Sequence, residues 1–114
     1  MGKRVVLIYP IPEIGRDVPI TMAKAKLFGF DLQDISVSYK AFRKRNSTVI
    51  KAFDELGQLP GLIRVWPSSV LCNTFIKDRC AAIIDNRPFY YDDSHLSNTG
   101  AALVVREIMK VLKE

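Results

Sequence analysis

The sequence predicts an α/β protein, with helices laid against strands of a parallel sheet. Three observations lead there. Lys3 to Tyr9 reads Lys-Arg-Val-Val-Leu-Ile-Tyr, a continuous apolar run that suits a strand buried on both faces. Leu62 to Trp66 is a second run of the same kind. Stretches with helical spacing lie between the two and after them, and helices alternating with buried-type strands define a layered α/β architecture.

The elements follow in order. Pro10 and Pro12 end the first strand, since neither can donate to a ladder. Pro10 to Pro19 is then a loop, with Gly15 and Asp17 as turn residues. In open α/β sheets such a loop, past the carboxyl end of a strand, is where ligands bind. Ile20 to Phe28 forms a short helix stopped by Gly29. Ser36 or Ser38 opens a longer helix, running to about Leu56 with Gly57 as its stop. Tyr39, Phe42, Val49, Phe53 and Leu56 share one stripe of it. Asn46 lies on that stripe, as a satisfied core amide or as a group reaching a site.

After the second strand, Pro67, Ser68 and Ser69 start a helical turn toward Cys72. Ala81 to Ile84 and Pro88 to Tyr91 pair as a hairpin around Asp85-Asn86-Arg87. Asn98 to Lys113 is the clearest helix. Ala101, Val104, Val105, Ile108, Val111 and Leu112 recur at helical spacing, and Arg106, Lys110 and Lys113 face away. Ser97 or Asn98 is its N-cap, and Lys110 and Lys113 suit the negative end of its dipole.

Length and composition set bounds. A chain of 114 residues is one domain with a modest core. Apolar content of 48% and charged content of 25% exclude disorder. The formal net charge of +5 suits phosphates, acidic glycans or an anionic surface, yet a solvated lysine excess accounts for it. Lys40, Arg43, Lys44 and Arg45 form the densest basic group, without the interleaved aromatics that stack on bases, so no nucleic-acid partner is expected. No run approaches a membrane span. Val5 to Ile8 is too brief for a signal-peptide core, so no export signal is expected in this chain. Lys3 and Val6 do not fit a myristoylation site at Gly2.

The chemistry gathers in Tyr90-Tyr91-Asp92-Asp93-Ser94-His95-Leu96-Ser97-Asn98-Thr99-Gly100-Ala101. It holds the only histidine, three positions after Asp92. A tight loop with that spacing turns a carboxylate onto an imidazole. The carboxylate then fixes the tautomer and leaves the other nitrogen free to take a proton. A structural ion pair is the competing reading. Cys72 and Cys80 have seven residues between them. They form a disulfide worth about 2–3 kcal/mol in an oxidising compartment, or remain thiols in the cytosol. With Asp92 and His95 they nominally make four zinc ligands, but no short-spaced ligand pair supports a metal, and no cofactor is expected.

The block from Tyr90 to Ala101 resembles the last signature of the SGNH (GDSL-like) hydrolase superfamily. It is more closely similar to the SGNH domain fused to bacterial membrane acyltransferases of the acyltransferase-three family. Asp92-Asp93-Ser94-His95-Leu96-Ser97 bears the resemblance, with Gly100-Ala101 and a terminal helix after it. Cys72 and Cys80 stand where that group has a cysteine pair, and Pro10-Ile-Pro-Glu-Ile-Gly15 with Val18-Pro19 is similar to its mid-domain segment. The resemblance implies a three-layer α/β/α sandwich and a serine nucleophile. His95 would be the base that activates the serine and Asp92 would orient it. Cys72 and Cys80 would form a structural disulfide.

In that family the serine lies in a Gly-Asp-Ser motif near the domain's start. Gly-Asp-Ser occurs nowhere in these 114 residues. Residues 1–114 are therefore expected to be a single partial domain, the C-terminal part of the sandwich, without the nucleophile-bearing portion. The resemblance implies O-acetylation of lipopolysaccharide, peptidoglycan or related glycans at the periplasmic or extracytoplasmic face of a bacterial membrane. An acylated glycan or acyl donor and a membrane acyltransferase domain are the implied partners. Ser94 and Ser97 are too close to His95 in sequence to serve as the nucleophile, and a loop or capping role is expected of them. The alternative is a non-catalytic binding or assembly module. Half a sandwich leaves a sheet edge and an apolar face uncovered, which favours self-association.

Overall fold

In a computed structural model, which describes residues 2–113, strands β1 (Val5–Ile8) and β3 (Leu62–Val65) pair in parallel, with Val5 opposite Leu62 and Ile8 opposite Val65. Between them come α1 (Val18–Phe28), a 3-10 turn (Leu32–Asp34), β2 (Ser36–Ser38), α2 (Tyr39–Arg45) and α3 (Ser47–Asp54). After them come α4 (Ser68–Leu71), β4 (Arg79–Ala81), β5 (Ile83–Ile84), β6 (Arg87–Pro88) and α5 (Asn98–Lys113). The fold is α/β. Its strands form three two-stranded sheets: β1 with β3, β2 antiparallel to β4, and β5 antiparallel to β6.

The two apolar runs are strands, but β1 is not buried on both faces. Val5 is 56% and Ile8 43% exposed. β1 also has one strand neighbour among the described residues, so its other edge is open as well. Tyr9, just past β1, is buried. Its ring stacks on Trp66 at 3.7 Å and meets Phe53 edge-on. Its hydroxyl donates to Asp54 at 2.7 Å and accepts from Arg64 Nε at 3.0 Å, which ties α3 to the sheet.

The single helix expected from Ser36 to Leu56 is three elements. Ser36–Ser38 pairs with β4, and Ser38 then caps α2 through its hydroxyl, which accepts from Ala41 N–H at 2.9 Å. Asn46 breaks the helix. Its side-chain amide donates to the Phe42 carbonyl at 3.0 Å, so the amide is satisfied locally. On either side of the break Phe42 and Ile50 are buried, while Val49 and Leu56 are exposed. The hairpin is shorter than expected. Asp85 and Asn86 alone make its turn, both at positive φ, as a two-residue type I′ turn requires.

The core gathers Val18, Leu71, Cys80, Ala81, Ala82 and Tyr90, beneath α1, α4 and the start of α5. The molecule is long for its mass, at 57 × 27 × 22 Å. Its radius of gyration is 15.6 Å, against about 13 Å for a compact domain of this length. Its accessible surface is 7554 Å², against roughly 6,300 Å² for a monomer of its mass.

Candidate active site

Two segments distant in sequence build the site. The first is the Pro-rich loop after β1. The second is the turn from Tyr90 to Leu96, closed by an antiparallel bridge between those two residues and by Tyr91 N–H donating to the His95 carbonyl at 3.0 Å. Tyr90 points inward, and its hydroxyl donates to the Pro12 carbonyl at 2.6 Å. Burial holds that phenol well above the ordinary tyrosine range, so it stays a neutral donor. The loop returns the contact. Ile14 N–H donates to the Asp93 carbonyl at 2.9 Å and Val18 N–H to the Asp92 carbonyl at 3.2 Å. Asp17 then caps α1 by accepting from Ile20 N–H at 2.9 Å.

Within the turn, Asp92 is held from three directions. Its Oδ1 accepts from the backbone N–H of Ser94 at 2.9 Å and of His95 at 2.7 Å. Its Oδ2 lies 2.8 Å from His95 Nδ1. The Ser94 N–H first, then that of His95, then the imidazole hold the carboxyl below the ordinary carboxylate range. An ionised carboxylate only accepts, so Nδ1 carries the proton of the neutral ring and Nε2 is the free acceptor. The His95 side chain is 66% exposed, so Nε2 is open to a reacting group. The Tyr91 ring lies parallel to the imidazole, 5.6 Å away at 18°.

The serines near the pair have structural tasks. Ser94 Oγ donates to Asp93 at 3.2 Å and lies 3.5 Å from Nδ1, the nitrogen that Asp92 already holds. Ser97 Oγ donates to the Pro88 carbonyl at 2.7 Å and accepts from Gly100 N–H at 3.2 Å, capping α5. Ser69 Oγ donates to the Trp66 carbonyl, and Ser68 is buried. Gly100 lets α5 begin there, because an added Cβ would fall on the Phe89 carbonyl oxygen.

Cys72 and Cys80 are joined in a disulfide, which removes both as zinc ligands. The bond ties the end of α4 to β4 and lies in the core cluster. A hollow of about 570 Å³ lies elsewhere, lined by Phe75, Ile84, Arg87, Phe89, Thr99 and Arg106 among others. The Asp92–His95 pair stands on an open surface instead. Two features were not foreseen from the sequence: the Tyr91–His95 stack and the clamp of the Pro-rich loop on the turn. The alternation of Tyr90 and Tyr91 was the available signal, one ring inward and the next outward.

The site thus sets a carboxylate-held imidazole beside the loop that follows a parallel strand of an α/β domain. A family model described as the SGNH domain (fused to AT3 domains) matches residues 1–110, and the chain belongs to that family. The family's fusion to AT3 domains makes a membrane acyltransferase its partner domain and suggests an extracytoplasmic location, with which the disulfide is consistent. No helix among the described residues is long and apolar enough to cross a membrane. Neither curated proteins nor solved structures gave a match to the chain.

Proposed function

We propose that the chain is the C-terminal portion of an SGNH-type O-acyltransferase or esterase domain acting on cell-surface glycans, such as lipopolysaccharide or peptidoglycan. In this reading His95 is the general base and Asp92 its orienting acid, and the serine comes from residues outside these 114. The observation behind it is the Asp92 carboxylate, which two backbone N–H groups hold while its second oxygen meets His95 Nδ1.

In this reading the steps are those of a serine-dependent acyl transfer. Nε2 takes the serine proton as the serine oxygen attacks the acyl carbonyl. The imidazolium gives that proton to the departing alkoxide, leaving an acyl-serine. A glycan hydroxyl, or water in an esterase, then attacks, gives its proton to Nε2, and the proton returns to serine as the ester or acid leaves. Asp92 stabilises the imidazolium in both halves without taking the proton.

The three-layer sandwich would be completed by the same outside residues. The edge of β1 that no strand covers among the described residues, the exposed Val5 and Ile8, and a surface roughly 1,200 Å² above that expected for the mass support this. The excess is comparable to one partner's share of a standard interface, about 800 Å². A second reading has the same surface in its favour: a non-catalytic assembly module that pairs with its own kind through β1 and the exposed Val105, Met109 and Leu112 of α5.

The test is reconstitution with a segment bearing the family's Gly-Asp-Ser motif, followed by acetyl-ester hydrolysis. Activity that falls about 10²–10⁴-fold in His95→Asn supports the base assignment. Activity indifferent to His95 overturns it. Homodimers in sedimentation, with no affinity for the nucleophile-bearing segment, would favour the assembly module.

A further inference from the structure

We propose that Tyr91 is a positioning residue for His95, fixing the plane of the imidazole and hence the aim of Nε2. This rests on the reading of His95 as the base. Asp92 holds the ring at one atom, Nδ1. A hydrogen bond tolerates about 30° of misalignment. With the ring otherwise 66% exposed, that leeway lets Nε2 swing. Displacing a reacting group by about 1 Å can cost about 10²-fold in rate. A second contact on the ring face removes the leeway.

Tyr91 supplies that contact. Its ring is parallel to the imidazole within 18°, with centroids 5.6 Å apart, an offset stack. The platform is itself held. Tyr91 N–H donates to the His95 carbonyl, and the preceding Tyr90 is fully buried with its hydroxyl on Pro12. Chain alternation then sends Tyr91 outward. At 61% exposure, Tyr91 owes nothing to the core. The same aromatic face favours the cation that forms when His95 takes a proton.

His95 is the only histidine, so its ring signals in NMR of the whole chain are unambiguous. In the wild type the ring protons should lie upfield, shielded by Tyr91, and nitrogen-15 correlations should show the Nδ1–H tautomer. Tyr91→Phe should keep both features. Tyr91→Leu should move the ring protons downfield and raise the fast mobility of the His95 ring in carbon-13 relaxation, while the Nδ1–H tautomer that Asp92 fixes stays, with unchanged circular dichroism. Ring mobility in Tyr91→Leu equal to that of the wild type overturns the proposal even if the ring protons move, because contact without positioning would do that. Raised ring mobility in a folded Tyr91→Phe, which keeps the aromatic face, also overturns it. An Nε2–H tautomer in the wild type would instead overturn the reading of Asp92 and His95, so the two failures are distinct.

Discussion

The Tyr90 hydroxyl donates to the Pro12 carbonyl at 2.6 Å, across 78 positions of sequence. That bond makes the loop after β1 and the turn holding Asp92 and His95 one unit. Ile14 N–H on Asp93 and Val18 N–H on Asp92 complete the clamp. The candidate base is thereby aligned by the strand whose carboxyl end it stands beside.

Tyr90→Phe leaves the Pro12 carbonyl unpaired in a buried setting. The expected loss is about 1–3 kcal/mol in chemical denaturation. Burial raises the folded phenol pKa, so its stabilisation is complete below the unfolded tyrosine value, about 10, and is lost as pH rises above it. Tyr90→Phe should lack that alkaline component. Parallel stability–pH curves for the two proteins would contradict the assignment.

Asp92 behaves in the opposite sense. Its folded pKa is depressed, chiefly by the Ser94 and His95 backbone N–H groups. Its contribution is present above the ordinary carboxylate value of 3.8 and is lost as pH falls below it, through the depressed folded value. The stability difference between wild type and Asp92→Asn should therefore shrink on acidification. Equilibrium denaturation at a series of acid pH values measures it.

Reduction of the Cys72–Cys80 bond frees a short loop. Loss of the cross-link should lower stability by about 2–3 kcal/mol. Paired Cys72→Ser and Cys80→Ser substitutions should reproduce the melting-temperature drop seen with reductant. Free thiols titrated in unreduced, denatured protein from an oxidising compartment would show that the bond does not form there.

Gly100→Ala sets a Cβ against the Phe89 carbonyl, a backbone atom with little room to move. The substitution should cost about 1–3 kcal/mol, as overpacking does. It should also disturb the Ser97 N–H bond to that same carbonyl, at 2.8 Å, and with it the entry to α5. A melting temperature equal to wild type would show that the helix start adapts.

Local signals carried much of this into the sequence. β1 and β3 were legible as apolar runs, α5 as a periodic stripe, and the Asp92–His95 contact as a spacing inside a recognisable block. β2 was not legible, because Ser36-Val37-Ser38 is short and becomes a strand only by pairing with β4. The exposure of β1 was hidden for a related reason. An apolar run reveals what a strand is suited to pack against, not whether that neighbour lies within the same 114 residues. The alternation of Tyr90 and Tyr91 hints at one ring inward and one outward, but their partners, Pro12 and His95, depend on how the turn is seated.

The central claim is that these residues supply the base and its orienting acid, and that the serine they serve lies outside them. Fluorophosphonate labelling of the purified 114-residue chain tests it most directly. The expected result is no labelling of the chain alone, and labelling of a supplied Gly-Asp-Ser segment that depends on His95. Stoichiometric labelling of the chain by itself would contradict the account.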